Sequence, residues 1–562
     1  MNLQKSLVRA VVTTNRSRVS LPIRVSKQFI TAPRSMKLNV AVVLCVVCAV
    51  CVLEETRGAR ILAVVPTPSY SHQIPYRKLW TELHKRGHDV VLVTANPIAN
   101  MTTKNFTQID ISSSYKDLQA LNFLKLRFEG VSWITFAESY LFDLSYTFAE
   151  SVLNNTEVRR LCAPGSKEKF DVVLTELLYM HSVPALAYRF DAPLIGLSSL
   201  GLVAIQEHDL GGFILPSHEY TWEMEANTGP NLSFWRRLWN YVSLWRITYS
   251  MYRDIPRHQE MAEHYLGMRL PPLTDITRNA SLLFVNQADA LTPARPKLPN
   301  MITFTSFHVN ENPAPLPKDL QRFLAEAKEG FIYFSLGSNA RSADIPMAVQ
   351  QVFFDVFAKL PYKVVWKYEN DLPVKLDNVY ASKWLPQQSI LAHPNIKLFI
   401  YQGGLQSTEE AVNFAVPLLG FPILADQDYQ VARIDTLRVG KRMEILTVTR
   451  EELDGAIREI ITNKEYKERM IHLRDLIRDN PYDLIDNLVW WTEYVIRHKG
   501  APHLRSTLAG QPWYQRYDID VVMFLTIVVF VIASKLVNIV ATLAVHLYKR
   551  FLSSAVQKQK KS

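Results

Sequence analysis

The stretch Phe399–Gln427 reads FIYQGGLQSTEEAVNFAVPLLGFPILADQ, and its punctuation decides the fold. An apolar strand ends in Gly403-Gly404, a helix begins near Ser407, and a short strand, Pro417–Phe421, follows. Glycines let backbone approach a ligand closely. The free N–H groups and positive dipole end of the helix suit a diphosphate. The loop is neither a Walker loop nor GxGxxG, so alone it carries little weight. Glu410 has a structural reading beside the functional one. Ser407-Thr-Glu-Glu410 has the pattern of a capping box, while an acid near a helix start also suits ribose hydroxyls.

Outward from this stretch the alternation continues. Phe331–Leu336, Lys363–Lys367 and Ile396–Ile400 read as buried strands, and Pro346–Leu360 as a helix with Val349, Val352, Phe353, Val356 and Phe357 on its apolar face. Near the other end, Arg60–Val65 is a strand, Ile74–Arg86 a helix stopped by Gly87, and Asp89–Thr94 a second strand, together one βαβ unit. Phe170–Thr175 is another strand, opening a loop at Glu176. The Pro-rich passage Thr292–Pro317 reads as a linker. The expected fold is α/β, with two Rossmann-like doubly wound domains facing a cleft and ligands outside the carboxyl ends of the strands. Leu232–Ile255 holds Trp235, Trp239, Tyr241, Trp245, Tyr249 and Tyr252 at helical spacing. A packed helix is its default reading and an interfacial membrane helix the sharper one.

The 562 residues are 48% hydrophobic and 21% charged, which excludes a mainly disordered chain and requires more than one core. The net charge of +10 sits at the ends: residues 1–35 carry +7 and residues 549–562 carry +5, with no acid in either, so residues 36–548 sum to −2. A near-neutral body argues against a nucleic-acid partner. Met36-Lys37, the apolar Leu38–Leu53 and small residues at Gly58-Ala59 form a signal-peptide pattern. Residues 1–35 are an organellar presequence or an upstream extension, and the intact signal at Met36 favours the extension. Val521–Leu547 is apolar apart from Lys535, Asn538 and His546, and a basic tail follows. That predicts a membrane span with the tail cytosolic and the body lumenal. The terminal Lys558-Gln-Lys-Lys-Ser resembles a dilysine retrieval signal for the endoplasmic reticulum. Sequons at Asn100, Asn105, Asn154, Asn231 and Asn279 agree with a lumenal body. Cys45, Cys48 and Cys51 fall inside the signal, so Cys162 is left alone, without an intrachain disulfide or a metal motif.

The Phe399–Gln427 stretch resembles the signature of the membrane-bound UDP-glucuronosyltransferase family, through its glycine pair, its acid, Pro417, Pro422 and Asp426-Gln427. Phe334-Ser-Leu-Gly-Ser338, Trp384-Leu-Pro-Gln387, Tyr494–Gly500 and the C-terminal span agree in order, so the resemblance runs from about residue 59 to the end. It implies a GT-B fold and an inverting, metal-independent transfer of glucose or glucuronate from a UDP-sugar to hydroxyls of small lipophilic acceptors. Carried over residue by residue, it implies that Trp384 stacks on the uracil, Gln387 bonds the base and Glu410 holds the ribose. Ser335, Gly404, Gln406 and Ser407 would surround the diphosphate, Asp426 and Gln427 would contact the donor sugar, and Ser338, Gln402 and Gly403 also belong to the implied UDP-sugar site. His72, in Ser-Tyr-Ser-His-Gln, would be the general base and Glu176 its orienting acid, with Asp171 as runner-up.

Two positions depart from the family pattern. Glu176 stands where Asp is usual, adding a methylene. Gln402 stands in Tyr401-Gln402-Gly-Gly where His is frequent, and the variant resembles invertebrate members, many of which prefer UDP-glucose. No Lys or Arg stands beside Asp426-Gln427 to read a sugar carboxylate. Asp518-Ile-Asp520 reads as a lumenal flank of the span, and no metal or bound cofactor is expected. The expected order is an extension (1–35), a signal (36–58), an acceptor domain (59–291), a linker (292–317) and a UDP-sugar domain (318–480). C-terminal helices (481–518), a span (519–547) and a tail (548–562) complete it. The rival readings are an impaired UDP-sugar or lipophile binder and a nucleotide-sugar epimerase. A homo-oligomer stays open.

Overall fold

The computed structural model describes residues 58–101, 103–212 and 231–559. The extension, nearly all of the signal with its three cysteines, and the last three residues of the tail lie outside the described residues. Two all-parallel sheets form the frame. The first has seven strands in the order β3-β2-β1-β4-β5-β6-β7: β1 is Arg60–Val65, β2 Asp89–Thr94, β3 Phe106–Asp110, β4 Val172–Glu176, β5 Leu194–Ser198, β6 Leu282–Asn286 and β7 Met301–Phe304. The second has six in the order β10-β9-β8-β11-β12-β13: β8 is Phe331–Ser335, β9 Lys363–Lys367, β10 Val379–Ser382, β11 Ile396–Tyr401, β12 Leu418–Gly420 and β13 Gly440–Arg442. Seven helices matter below: α1 Tyr70–Lys85, α2 Phe142–Leu153, α3 Phe234–Leu266, α4 Leu405–Asn413, α5 Gln427–Thr436, α6 Leu484–His498 and α7 Ile519–Gln559.

Strands such as Ile61-Leu-Ala-Val-Val65 carry apolar residues without alternation because helices cover both faces of the sheet. Tyr76, Leu79, Trp80 and Leu83 of α1 pack on Ile61, Ala63 and Val65 of β1. In the second sheet Phe334, Trp366, Phe353 and Phe357 form one aromatic cluster, with Phe334 and Trp366 stacked at 4.9 Å. Each fully buried side chain of this size contributes about 1.5–3 kcal/mol by leaving water.

The structure redraws three boundaries. Met301–Phe304, inside the Pro-rich passage expected to be linker, is the edge strand of the first sheet, with Leu283 opposite Met301 and Asn286 opposite Phe304. Prolines on either side do not touch the ladder, so composition hides a four-residue strand. Helix α1 begins at Tyr70, four residues before the expected start, with Ser69 as N-cap residue. Helix α4 begins at Leu405 with Gly404 as N-cap, so Ser407 lies inside the helix and no capping box forms there.

The chain also returns. Ile485, Leu488, Val489 and Val495 of α6 are buried against Tyr76, Trp80 and Phe304 of the first half. Arg86 donates to Asp486 at 2.5 Å across the same junction. Helix α7 has 41 residues, about 60 Å at 1.5 Å per residue, and is long and apolar enough to cross a bilayer.

Candidate active site

Parallel strands deliver their last residues to one edge, and three neighbouring strands of the first sheet do so here. After β1 the chain turns through Thr67 into α1, whose first turn carries His72. Strand β4 ends on Glu176, and Ser199 follows the end of β5. His72 Nδ1 lies 2.9 Å from Glu176 Oε1 and 2.7 Å from Ser199 Oγ. Ser199 Oγ donates to Glu176 Oε1 at 2.8 Å, and Thr67 Oγ1 donates to Glu176 Oε2 at 2.5 Å. Burial pushes the Glu176 carboxyl up. The His72 charge and the hydrogen bonds from His72, Thr67 and Ser199 outweigh it and hold the group below the ordinary carboxylate value. An ionised carboxylate only accepts, so Nδ1 carries the ring proton and Nε2 is left as the basic nitrogen. The extra methylene of Glu176 therefore does not take it out of reach. Asp171 is elsewhere: its Oδ2 accepts from the Arg60 backbone N–H at 2.7 Å, at the start of β1.

The second sheet supplies the facing edge. Strand β11 ends at Tyr401, and Gly403, at φ 94°, turns the chain into α4. A Cβ on residue 403 would sit 2.4 Å from Val431 Cγ2, so the protein itself demands glycine there. At residue 404 a Cβ would meet nothing closer than 3.8 Å, so the missing side chain leaves room for something other than protein. The first turn of α4 has no side-chain cap, and open N–H groups at a helix start are suited to an anion.

The remaining positions divide by what they touch. Trp384 is 64% exposed, which excludes core packing; its ring meets Tyr70 edge-on at 6.3 Å. Glu410 accepts from Gln387 Nε2 at 2.6 Å and Gln388 Nε2 at 2.9 Å, which leaves further lone pairs on its two oxygens. Gln387 is spoken for within the protein, since Nε2 also reaches Ser407 Oγ at 3.0 Å and Oε1 accepts from Tyr333 at 3.2 Å. Ser335 Oγ accepts from Gly337 N–H at 3.2 Å, and Ser338 lines the cleft. Gln406 reaches across the cleft and donates to the Ser199 carbonyl at 3.0 Å. Gln427 folds back, its Oε1 accepting from Ile423 and Leu424 N–H at 2.9 and 3.1 Å.

Two acceptor oxygens in this cleft, Gln402 Oε1 and Asp426 Oδ2, are buried without a hydrogen-bond partner among the described residues. A buried unpaired acceptor costs about 1–3 kcal/mol, which a ligand hydroxyl would recover. Burial pushes the Asp426 carboxyl up to about 6, with His72 opposing from across the cleft. The cleft is thus lined by His72, the Gly404–Ser407 turn and Asp426, and toward the first half by Phe123, Trp133, Phe136 and Leu144. None of the described lining residues is Lys or Arg.

Sequence reasoning missed Ser199 and Thr67. Both sit at carboxyl ends of strands beside β4, and that position alone was the available signal. It also missed the apolar wall, which comes from helices with no motif. All five sequon asparagines are exposed, although Asn279 Oδ1 accepts from Arg505 at 3.1 Å. Cys162 is buried and burial pushes its thiol up to about 12. No group of three His, Cys, Asp or Glu is placed to hold a metal ion among the described residues.

Residues 60–558 match the family model described as "UDP-glucoronosyl and UDP-glucosyl transferase". UDP-glucosyltransferase 2 of Dactylopius coccus is 32% identical, over 91% of this chain and 97% of its own length. UDP-glucuronosyltransferase 1A3 of Homo sapiens is 29% identical, over 84% of this chain and 88% of its own. Among solved structures, the kitacinnamycin glycotransferase aligns with a TM-score of 0.52 at 18% identity, covering 78% of this chain and 99% of that one. The calicheamicin glycosyltransferase CalG4 also gives 0.52, at 16% identity, over 79% and 99%. These two fix the fold as GT-B. The chain belongs to the UDP-glucuronosyl and UDP-glucosyl transferase family and is a glycosyltransferase that takes its sugar from a UDP-sugar donor.

Proposed function

We propose that the chain transfers a hexosyl group, with inversion, from a UDP-sugar to the hydroxyl of a small lipophilic acceptor, and that His72 is the base. The observation that carries this reading is the pairing of Glu176 and Ser199 with Nδ1, which leaves His72 Nε2 basic in the cleft lined by the open turn of α4 and Asp426. A neutral hydroxyl is a poor nucleophile. Nε2 takes its proton as the acceptor oxygen bonds to the anomeric carbon, and the bond from that carbon to the UDP oxygen breaks in the same displacement. UDP leaves with the bonding pair, its charge met by the N–H groups of α4. The imidazolium is held by Glu176.

In this reading Trp384 takes the uracil on its exposed face, Glu410 the ribose, Ser335, Ser338 and the Gly403–Ser407 turn the diphosphate, and Asp426 the sugar hydroxyls. Gln402 and Gln427 complete the donor side. The absence of Lys and Arg among the described lining residues favours UDP-glucose over UDP-glucuronate, because a sugar carboxylate placed there would go unpaired. The Phe123, Trp133, Phe136 and Leu144 wall favours apolar acceptors. We place residues 59 to about 307 together with α6 in the acceptor domain, residues 318–480 in the donor domain, α7 across the endoplasmic reticulum membrane, and the body in the lumen.

The test is the purified chain with α-linked UDP-glucose or UDP-glucuronate and a lipophilic phenol, the product anomer read by NMR. A β-glucoside is expected, with UDP-glucose the better donor. An α-product would overturn inversion. Donor consumption without any acceptor product would overturn transfer.

A further inference from the structure

We propose that the outward face of α3 is a membrane-docking surface, and that its occupant is the bilayer crossed by α7; the proposal rests on reading α7 as a membrane span. Along the first half of α3, Trp235, Leu238, Trp239, Val242 and Tyr249 recur at helical spacing and point to solvent, with Trp235 74%, Trp239 65% and Tyr249 68% exposed. The side facing protein carries Asn240, Ser243, Thr248 and Ser250 beside Leu244, Ile247 and Met251. A helix on a soluble protein keeps its apolar stripe inward and its polar residues outward. Here a large aromatic stripe faces outward while several polar side chains are enclosed. A contiguous patch of this kind marks an association site.

Its continuity with α7 identifies lipid as the partner. Trp245 lies 6.2 Å from the ring of Tyr517, two residues before α7 starts. Arg516 Nη1 is 2.9 Å from His208 Nε2, Arg516 Nη2 donates to the Ala509 carbonyl at 2.9 Å, and Ser506 Oγ donates to the Gly211 carbonyl at 2.8 Å. The segment feeding the span is therefore fixed beside α3. Trp513 and Tyr514, both exposed, extend the aromatic row into that segment. Trp and Tyr are the side chains that settle at headgroup level, with an apolar body and a polar tip. A helix lying in the interface plane buries such a face in the outer acyl region.

The inner side of α3 gives the docking a purpose. Leu244, Ile247 and Met251 pack in the same cluster as Trp133 and Phe136, which line the cleft. Arg246 and Ser250 both bond Glu138, at 2.6 and 2.9 Å, tying α3 to the turn between those aromatics and α2. A docked α3 sets the apolar wall of the cleft next to the bilayer, where lipophilic acceptors are concentrated.

The test uses the full chain in phosphatidylcholine vesicles containing acyl-chain nitroxide lipid, with a bimane label on Trp239→Cys, Leu476→Cys or Val529→Cys. The unsubstituted chain gives the labelling background, Cys162 being buried. The proposal expects severalfold stronger quenching at 239 than at 476, and strong quenching at 529. Quenching at 529 with 239 no different from 476 would overturn docking while leaving the span intact. An unquenched 529 and 239 would overturn both, and neither outcome touches the transfer chemistry. Energy transfer between labels at 239 in dilute vesicles, without lipid quenching, would assign the face to a second copy and overturn the proposal. Each labelled variant is compared at equal retained UDP binding, so misfolding is separated from loss of docking.

Discussion

The two halves share one construction, a parallel sheet with helices on both faces and a site at the carboxyl ends of its strands, yet they assemble their sites differently. In the second half Gln402, Gly403, Gly404, Ser407, Glu410 and Asp426 all fall within Phe399–Gln427, on one strand–helix–strand unit and the loop that ends it. In the first half Thr67, His72, Glu176 and Ser199 come from three strand ends far apart in the chain, and the apolar wall from helices between β3 and β4. In the proposed reading most residues assigned to the donor lie in this one local unit, joined by Ser335, Ser338 and Trp384 from outside it. In the same reading the first half supplies a base at one point and a shaped surface around it, and long-range topology builds both.

Breaking the first half at its proposed base has the largest expected effect. His72→Ala should lower kcat by about 10²–10⁴, the usual worth of a general base, with UDP affinity by calorimetry unchanged. Near-wild-type turnover would remove His72 from the role. Next is the second half's buried acid. Asp426 in the folded chain titrates near 6 against an ordinary 3.8, so the folded state holds its proton longer than the unfolded one. Stability without ligand then falls as pH rises from about 4 to about 6 and stays lower above, by about 3 kcal/mol for two pKa units. Asp426→Asn should raise the thermal midpoint at pH 7.5 and leave it little changed at pH 4, while weakening UDP-sugar binding. An equal shift at both pH values would show that the carboxyl charge is not the cause.

Smaller effects sharpen the contrast. Trp384→Ala should cost about 1–3 kcal/mol of UDP binding with thermal stability unaltered, because the ring is exposed and packs little. Unchanged affinity would limit the ring to its contacts with Tyr70 and with the Lys367 ammonium, 6.0 Å from its centroid. Ser199→Ala should cost about tenfold in kcat, near the worth of one hydrogen bond to a charged group, and shift the acid limb of the pH–rate profile upward by freeing Glu176 to take a proton. A lower rate with an unmoved acid limb would make Ser199 merely structural.

The same contrast explains what could be read from the sequence. The GT-B frame was legible because buried parallel strands such as Asp-Val-Val-Leu-Val-Thr leave continuous apolar runs. The donor unit was legible because its residues lie close together. His72 and Glu176 could be placed at strand ends, but Ser199 and Thr67 carry no pattern beyond position. Met301–Phe304 was hidden by surrounding prolines, and the return of α6 is a tertiary choice that periodicity does not encode. The inverted stripe of α3 was visible as aromatic spacing, yet spacing alone does not say which side faces solvent.

The return of α6 has a mechanical consequence. The chain enters the second half between β7 and β8 and leaves it before α6, so that half is an insertion held by two strands of chain side by side. A body hung on two attachments can swing about the line joining them but resists swivelling. The two attachments therefore confine any movement of one half against the other to a swing about a single axis.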